Sequence, residues 1–447
     1  MDMERQVKWQ KAICQMAKRQ KSACLSVLSI LMVAGSGQNL PAQTVQDTLA
    51  PQQLREITVQ DKANNFTNTN LRGVENFGIY SGKKTEVVSL ANLTANVSTN
   101  NPRQIYGRVT GLNIWESDGA GLQLGIGGRG LSPNRTANFN TRQNGYDISA
   151  DALGYPESYY TPPAEALDRI EIVRGAASLQ YGTQFGGLLN FRFKRGPQDK
   201  KIELTSRQTL GSWGFFGSFN SIGGTVAKGK LNYYAYFQYK TGDGWRPNSQ
   251  FDYRCGYASV EYKPSERLAL QLDLTRMDYL AKQPGGLTDK LFQDDARQSV
   301  RNRNWFQVDW NLVALSMNYT FSTRTRLNIR NFGLIAQRLS VGNLERINVA
   351  DFGGNRTLID GQFRNAGQEA RLLHQYNWRG LPQTLLFGYR LYYGHSTARQ
   401  GDSRPHLRHR IPLLDGDAEP GTGIRHARLL QPLRPRPRPL LAGLLAH

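Results

Sequence analysis

Between Lys201 and Ser396 apolar side chains recur at every second position, in runs of about ten residues. That repeat belongs to a strand with one apolar and one polar face, and it excludes a helical bundle for this half of the chain. Leu231, Tyr233, Ala235, Phe237 and Tyr239 alternate with Asn232, Tyr234, Tyr236 and Gln238. Leu268, Leu270, Leu272 and Leu274 alternate with Ala269, Gln271, Asp273 and Thr275, and Leu385, Phe387, Tyr389, Leu391 and Tyr393 form a further set. Phe306, Val308, Trp310 and Leu312 begin one apolar face, but Val313, Leu315, Met317, Tyr319 and Phe321 continue it one residue out of phase, which predicts a β-bulge between them. Nine strands are expected, near 201–211, 214–224, 230–240, 252–263, 266–280, 305–321, 325–340, 367–378 and 383–395.

The connections alternate in length. Residues 262–267 and 321–325 are short turns, whereas 281–304 and 342–366 read as long polar loops. Short turns at one end and long loops at the other are the pattern of a transmembrane β-barrel, and strands of about ten residues are long enough to cross a bilayer. A soluble sandwich or propeller is the competing architecture, but its strands usually run to about 5–6 residues. The mean hydropathy of −0.53 excludes a polytopic helical membrane protein. An open sheet cannot persist in lipid, because its edge N–H and C=O groups would go unpaired.

Both ends differ from the middle. Residues 1–42 carry a basic stretch (Lys8, Lys11, Lys18, Arg19, Lys21), an apolar run from Ala23 to Ala34 and the small-residue site Leu40-Pro41-Ala42, as an export signal does. The apolar run is too short to span a bilayer as a helix. With Cys14 and Cys24 in the signal, Cys255 alone remains in the mature chain, so no intrachain disulfide is expected. Residues 401–447 contain no aromatic residue and no Lys, but they hold four of the six His and the run Arg434-Pro435-Arg436-Pro437-Arg438-Pro439. The expectation is an aberrant tail, an out-of-frame or fragmentary end, with a disordered basic tail as the alternative; no metal site is read into His406 and His409.

The segment 65–196 is expected to be a separate α+β domain. Asn101 and Pro102 read as the cap and first residue of a helix over 102–109, followed by a strand from Leu112 to Trp115. Gly125, Gly127 and Gly130 match G-x-G-x-x-G, but Ser132-Pro133-Asn134 leaves no room for the helix that a dinucleotide site requires. The glycines instead suit a strand approached closely by other backbone. Arg129-Gly130 follows Ile126, then come Glu171-Ile172-Val173-Arg174-Gly175 with Ser178, Tyr181-Gly182, and Gly186-Gly187 with Asn190.

This series resembles the plug domain of TonB-dependent outer-membrane receptors. Tyr155–Pro163, Gln283–Asp289 and the stretch Arg303–Asn311 further resemble the ferric-dicitrate branch. The resemblance covers roughly residues 50–400 and implies a plug domain at 65–196 inside an antiparallel barrel that begins at 197–400, 22-stranded in the family. A 22-stranded barrel requires on the order of 500 residues, so only about nine strands are encoded here. The family's L-D-G-x-P segment appears as Gln143-Asn144-Gly145-Tyr146-Asp147-Ile148.

The resemblance also implies the activity and the partner: import of a ferric siderophore or ferric citrate, energised by TonB. Within 43–64, Leu54, Arg55, Glu56, Ile57, Thr58 and Val59 are the candidate TonB box, whose alternation suits strand addition to a partner sheet; an ordinary first plug strand is the other reading. Arg129, Glu171 and Arg174 are the candidate latch between plug and wall. Asn134, Arg135, Thr136, Arg142 and Gln184 are candidate ligand contacts, with Arg297, Arg301 and Arg303 adding charge from the barrel loops; an anionic chelate is best met by Arg and neutral donors. No resident cofactor is implied, since iron enters only as chelated cargo. Cobalamin or a saccharide is the alternative cargo, and a non-transporting fragment is a further alternative. Nucleic acid is not expected as a partner despite the charge of +21, because no compact Lys/Arg stripe or nucleic-acid motif is present. No catalytic signature such as G-x-S-x-G or H-E-x-x-H is present either.

Overall fold

The computed structural model describes residues 68–403, apart from 82–83, 92, 117, 119–120, 153–155, 183–185, 344, 348, 350 and 352, together with the pair 428–429. The signal, the box Leu54–Val59, Gln184 and the rest of the tail lie outside the described residues.

The first part is built on ten short strands: β1 (Asn68–Thr69), β2 (Val74–Glu75), β3 (Gly78–Ile79), β4 (Thr85–Ser89), β5 (Leu112–Glu116), β6 (Leu124–Gly128), β7 (Phe139–Gln143), β8 (Tyr146–Asp147), β9 (Leu167–Val173) and β10 (Gly187–Phe193). Six of them form a sheet in the order β1-β4-β9-β10-β7-β8, in which only β10 and β7 run parallel. Helix α1 spans Pro102–Tyr106, shorter than the sequence suggests, and the Asn101 side chain accepts from the Gln104 N–H at 3.0 Å. The Gly125–Gly130 segment is strand β6 and a turn, followed by the single 3-10 turn Asn134–Thr136 and not by the α-helix a dinucleotide site requires. A Cβ on Gly127 would lie 2.2 Å from the Leu131 carbonyl oxygen, so close backbone approach accounts for that glycine.

The second part is an antiparallel meander in sequence order: β11 (Glu203–Leu210), β12 (Phe216–Val226), β13 (Leu231–Gly242), β14 (Phe251–Ser265), β15 (Leu268–Lys282), β16 (Trp305–Thr320), β17 (Thr325–Gly342), β18 (Arg356–Trp378) and β19 (Leu381–Ser403). The two-residue strand β20 (Arg428–Leu429) pairs with Arg399 and Gln400. The expected nine wall strands are all present. The outer edge of β11 has no strand partner among the described residues.

Two features depart from the sequence reading. No bulge interrupts β16: its register to β15 and to β17 is unbroken through Leu312 and Val313. The apolar residues change face instead. Phe306, Val308, Trp310 and Leu312 are buried inward against the plug, whereas Val313 and Leu315 are 46% and 48% exposed on the outer face. The upper half of the strand thus has an apolar inner partner, and the lower half has its apolar side outward. Strand β18 also begins at Arg356, so the loop before it covers only 343–355. Every residue from Thr357 to Ala366 is paired to β17 despite its polar, glycine-containing sequence. At about 3.4 Å per residue, the 23 residues of β18 exceed twice the roughly 30 Å hydrocarbon layer, so its polar end needs no apolar face.

The plug core and the inner wall share one apolar cluster. Phe193 stacks on Tyr257 at 4.3 Å between ring centroids, and Tyr159 lies 5.6 Å from Phe306 and 6.0 Å from Trp310.

Candidate ligand-binding and plug-retention site

Two sets of side chains join plug to wall. At the long-loop end, the turn Asn134–Thr136 holds Arg135 in the left-handed region at φ 47°. Its guanidinium donates to Glu157 at 2.8 Å and to the Tyr159 hydroxyl at 3.3 Å, and it lies over the rings of Tyr159 and Phe306 at 5.2 and 5.4 Å. Arg338 of β17 approaches the Tyr159 ring at 5.5 Å. The result is an aromatic floor carrying two cations, formed jointly by plug and wall. Asn134 beside it is exposed.

Thr136 has a different role from the one expected. Its hydroxyl is fully buried, donates to the Leu124 carbonyl at 2.9 Å and accepts from the Ile126 N–H at 3.2 Å. It fixes the turn that presents Arg135. The loop arginines bind neighbouring loop segments. Arg301 donates to the carbonyls of Val300, Val349, Glu345 and Arg346, tying the loop 283–304 to the loop 343–355. Arg303 forks onto the Asp351 carboxylate and reaches the Gly353 and Gly354 carbonyls. Arg297 is exposed and donates to the Trp245 carbonyl at 3.2 Å.

Deeper in the plug, Arg142 on β7 is completely buried and makes a two-pronged pair with Glu369 on β18, at 2.8 and 2.7 Å. It also donates to Asn140 at 2.5 Å and to the carbonyls of Gly145 and Tyr181 at 2.7 and 2.9 Å. Arg390 and Arg371 of the wall approach the same Glu369 carboxylate at 3.5 and 3.7 Å. Arg390 further pairs with Asp147 of the plug at 3.2 Å, and Arg371 donates to the Phe77 and Gln180 carbonyls. A second plug–wall contact is Glu165, which accepts from Arg207 at 2.9 Å and Gln238 at 2.8 Å. Asn144 adds bonds to Tyr257 and Asp273, both at 2.9 Å.

The sequence reading offers Arg129, Glu171 and Arg174 as the candidate latch; among the described residues the plug-to-wall ion pairs fall on other side chains. Glu171 binds Arg169, Arg192 and Asn190, all within the plug sheet. Arg174 pairs with Glu86 and donates to the Thr110 carbonyl at 2.7 Å. Arg129 is exposed in the turn after β6. Glu171 and Arg174 bind within the plug, and Arg142, the candidate ligand contact, is paired with the wall. No sequence signal could link Arg142 to Glu369 across 227 residues. Burial pushes the Glu171 carboxyl up, but the Arg192 and Arg169 guanidiniums outweigh it and hold it below the usual range. Among the described residues, no group of three His, Cys, Asp or Glu side chains is placed to hold a metal ion.

A small mixed sheet tied by buried ion pairs to the inner face of an antiparallel wall, with long loops at one end, is the fold of a plugged-barrel receptor. Residues 79–188 match the family model described as TonB-dependent Receptor Plug Domain. The strands that follow have the fold of the barrel in solved receptor structures. Among solved structures, the chain is similar to the ferric citrate transporter FecA in its unliganded form, with 23% identity, a TM-score of 0.62, and coverage of 72% of this chain and 49% of that one. It is also similar to BauA, the ferric preacinetobactin receptor from Acinetobacter baumannii (13% identity, TM-score 0.59, 76% and 51% covered). A third is the ferripyoverdine receptor of the Pseudomonas aeruginosa outer membrane (14% identity, TM-score 0.60, 71% and 43% covered). The chain spans about half the length of each.

Proposed function

We propose that this plug and wall serve in an outer-membrane receptor of a Gram-negative cell that imports a ferric chelate, ferric citrate or a siderophore, with work supplied by TonB. The observation that carries the reading is the plug itself: a folded domain seated against the wall by the buried Arg142–Glu369 pair. A stopper held by directional polar bonds beside aromatic contacts stays closed at rest and yields to a pull. The outer face of the wall supports a lipid setting, with Phe237, Leu272, Leu274, Leu315 and Leu391 all exposed on it.

The chelate binds first on the aromatic floor at the long-loop end. Arg135 and Arg338 supply positive charge there, and the loops tied by Arg301 and Arg303 supply a rigid rim. An anionic ferric chelate suits guanidinium and neutral donors. TonB grips the segment around Leu54–Val59 by strand addition. Tension then reaches the two-residue strand β1, held to β4 by the pairs Asn68↔Val88 and Thr69↔Val87, before it reaches the latch.

Uptake of radioactive iron supplied as ferric citrate tests this in cells expressing the chain, with and without tonB. Accumulation that requires tonB is expected. Equal accumulation in both strains, or none with ferric citrate and none with ferric siderophores, would overturn it.

A further inference from the structure

At the short-turn end, between plug and wall, lies a cavity of about 730 Å³, within the range of small-ligand pockets. Most of its charged lining is already neutralised. Arg169 and Arg192 share Glu171, Arg207 is on Glu165, Arg195 is on Glu261, and Glu203 is on Lys200. Two cations remain without an ion pair among the described residues, against the exposed Asp168. Lys194, from the end of the plug, donates only to the Glu165 carbonyl at 2.8 Å. Arg330, on the inner face of β17, donates only to the Gly145 carbonyl at 3.3 Å.

Arg330 stands directly across from Glu369 in the β17–β18 ladder. That carboxylate is already divided among Arg142, Arg371 and Arg390, so a fourth guanidinium at its side is surplus. A cation with 7% exposure and no direct ion pair of its own is costly. Two residues along the same inner face, Asn328 is 1% exposed, and its Oδ1 has no hydrogen-bond partner. Its amide nitrogen is occupied by Asn318 at 2.7 Å. The cavity thus presents two unneutralised cations and one unsatisfied acceptor. A hydroxyl-bearing polycarboxylate answers all three: carboxylates for Arg330 and Lys194, a hydroxyl proton for the Asn328 oxygen.

We propose that this chamber is a second binding station, on the short-turn side of the plug, for a small hydroxy-polycarboxylate anion. It rests on the import reading only for the source of the anion, the carboxylate chelate itself. Because Lys194 belongs to the plug and Arg330 to the wall, the station exists only while the plug is seated. Displacing the plug separates its two cations and releases the anion.

Isothermal titration of the full chain in detergent with iron-free citrate tests it, alongside tricarballylate, which lacks the hydroxyl. Citrate is expected to bind the chain, and tricarballylate several-fold more weakly. Arg330→Gln and Lys194→Gln are each expected to weaken citrate at least tenfold, and Lys290→Gln, exposed in the outer loop, to leave it unchanged. Thr205→Glu places a carboxylate in the lining from the exposed strand β11, where folding is not at stake, and is expected to weaken citrate as well. No citrate binding by the wild-type chain, or affinities within twofold of wild type in the folded chamber variants, would overturn the proposal. Chamber binding without TonB-dependent uptake would sink the import reading alone, and uptake with unaltered binding in the variants would sink the chamber alone.

Discussion

Replacing Glu369 by Gln removes the only carboxylate within 4 Å of Arg142 among the described residues while keeping the side-chain shape. The wild-type pair has two bonds of 2.8 and 2.7 Å between side chains that are 0% and 3% exposed. Deleting one partner of such a buried pair costs about 3–5 kcal/mol, since the other charge is stranded. Here Arg371 and Arg390 also lose their share of the same carboxylate. The cost falls on seating the plug rather than on closing the wall ladder, because the β18 backbone bonds to β17 and β19 are untouched. At about 1.4 kcal/mol per factor of ten, plug opening becomes roughly a hundredfold to a few thousandfold more frequent. Amide hydrogen exchange read by mass spectrometry on peptides covering 139–143 and 187–193 should accelerate by that factor, with wall peptides from 268–282 unchanged. A double-mutant cycle with Arg142→Gln should return a coupling of about 0.5–3 kcal/mol. Plug exchange within threefold of wild type in Glu369→Gln would show that the pair does not hold the plug.

Other perturbations address separate parts of the account. Arg301→Ala removes four donations to loop carbonyls, each charged bond worth about 1.5–3 kcal/mol, so limited proteolysis should cut the loops 283–304 and 343–355 together and well ahead of wild type. Gly145→Ala should lower plug stability by about 1–3 kcal/mol in a denaturant titration, because φ is +89° there and a Cβ would meet the Arg330 guanidinium at 2.8 Å. The Glu171 carboxyl is held below its unfolded value, so the stability it contributes is present above the ordinary carboxylate range and is lost as pH falls through its lower folded value. Plug unfolding midpoints should therefore drop in that acid window, and Glu171→Gln should flatten this part of the profile.

The wall was largely legible because the outer faces of β13, β15 and β19 alternate in phase with the pleat, and all nine strands fall near their expected places. Strand β16 misled because its apolar residues serve two different partners, the plug above and the outer face below, which a one-faced pattern reads as a slip. The first eleven residues of β18 carry no apolar alternation and were legible only through their pairing to β17. Asn101 caps its helix as expected, and Arg135 lies on the aromatic floor shared by plug and wall. Arg142 could not be placed from sequence, since its ion-pair partner is a carboxylate 227 residues away. The same holds for Arg301 and Arg303, whose partners are mostly backbone carbonyls of another loop.

A lipid-embedded sheet that carries the plug on its inner face has lipid-facing and plug-facing residues in strict alternation. Spin labels placed singly at 268–275 in reconstituted vesicles, with accessibility to oxygen measured at each position, read that alternation. Labels at 270, 272 and 274 should be oxygen-accessible as lipid-facing sites are, with low values at 271, 273 and 275, where the native residues face the plug. Uniform accessibility along the strand, or accessibility to a water-soluble nickel reagent at 272 and 274, would contradict it.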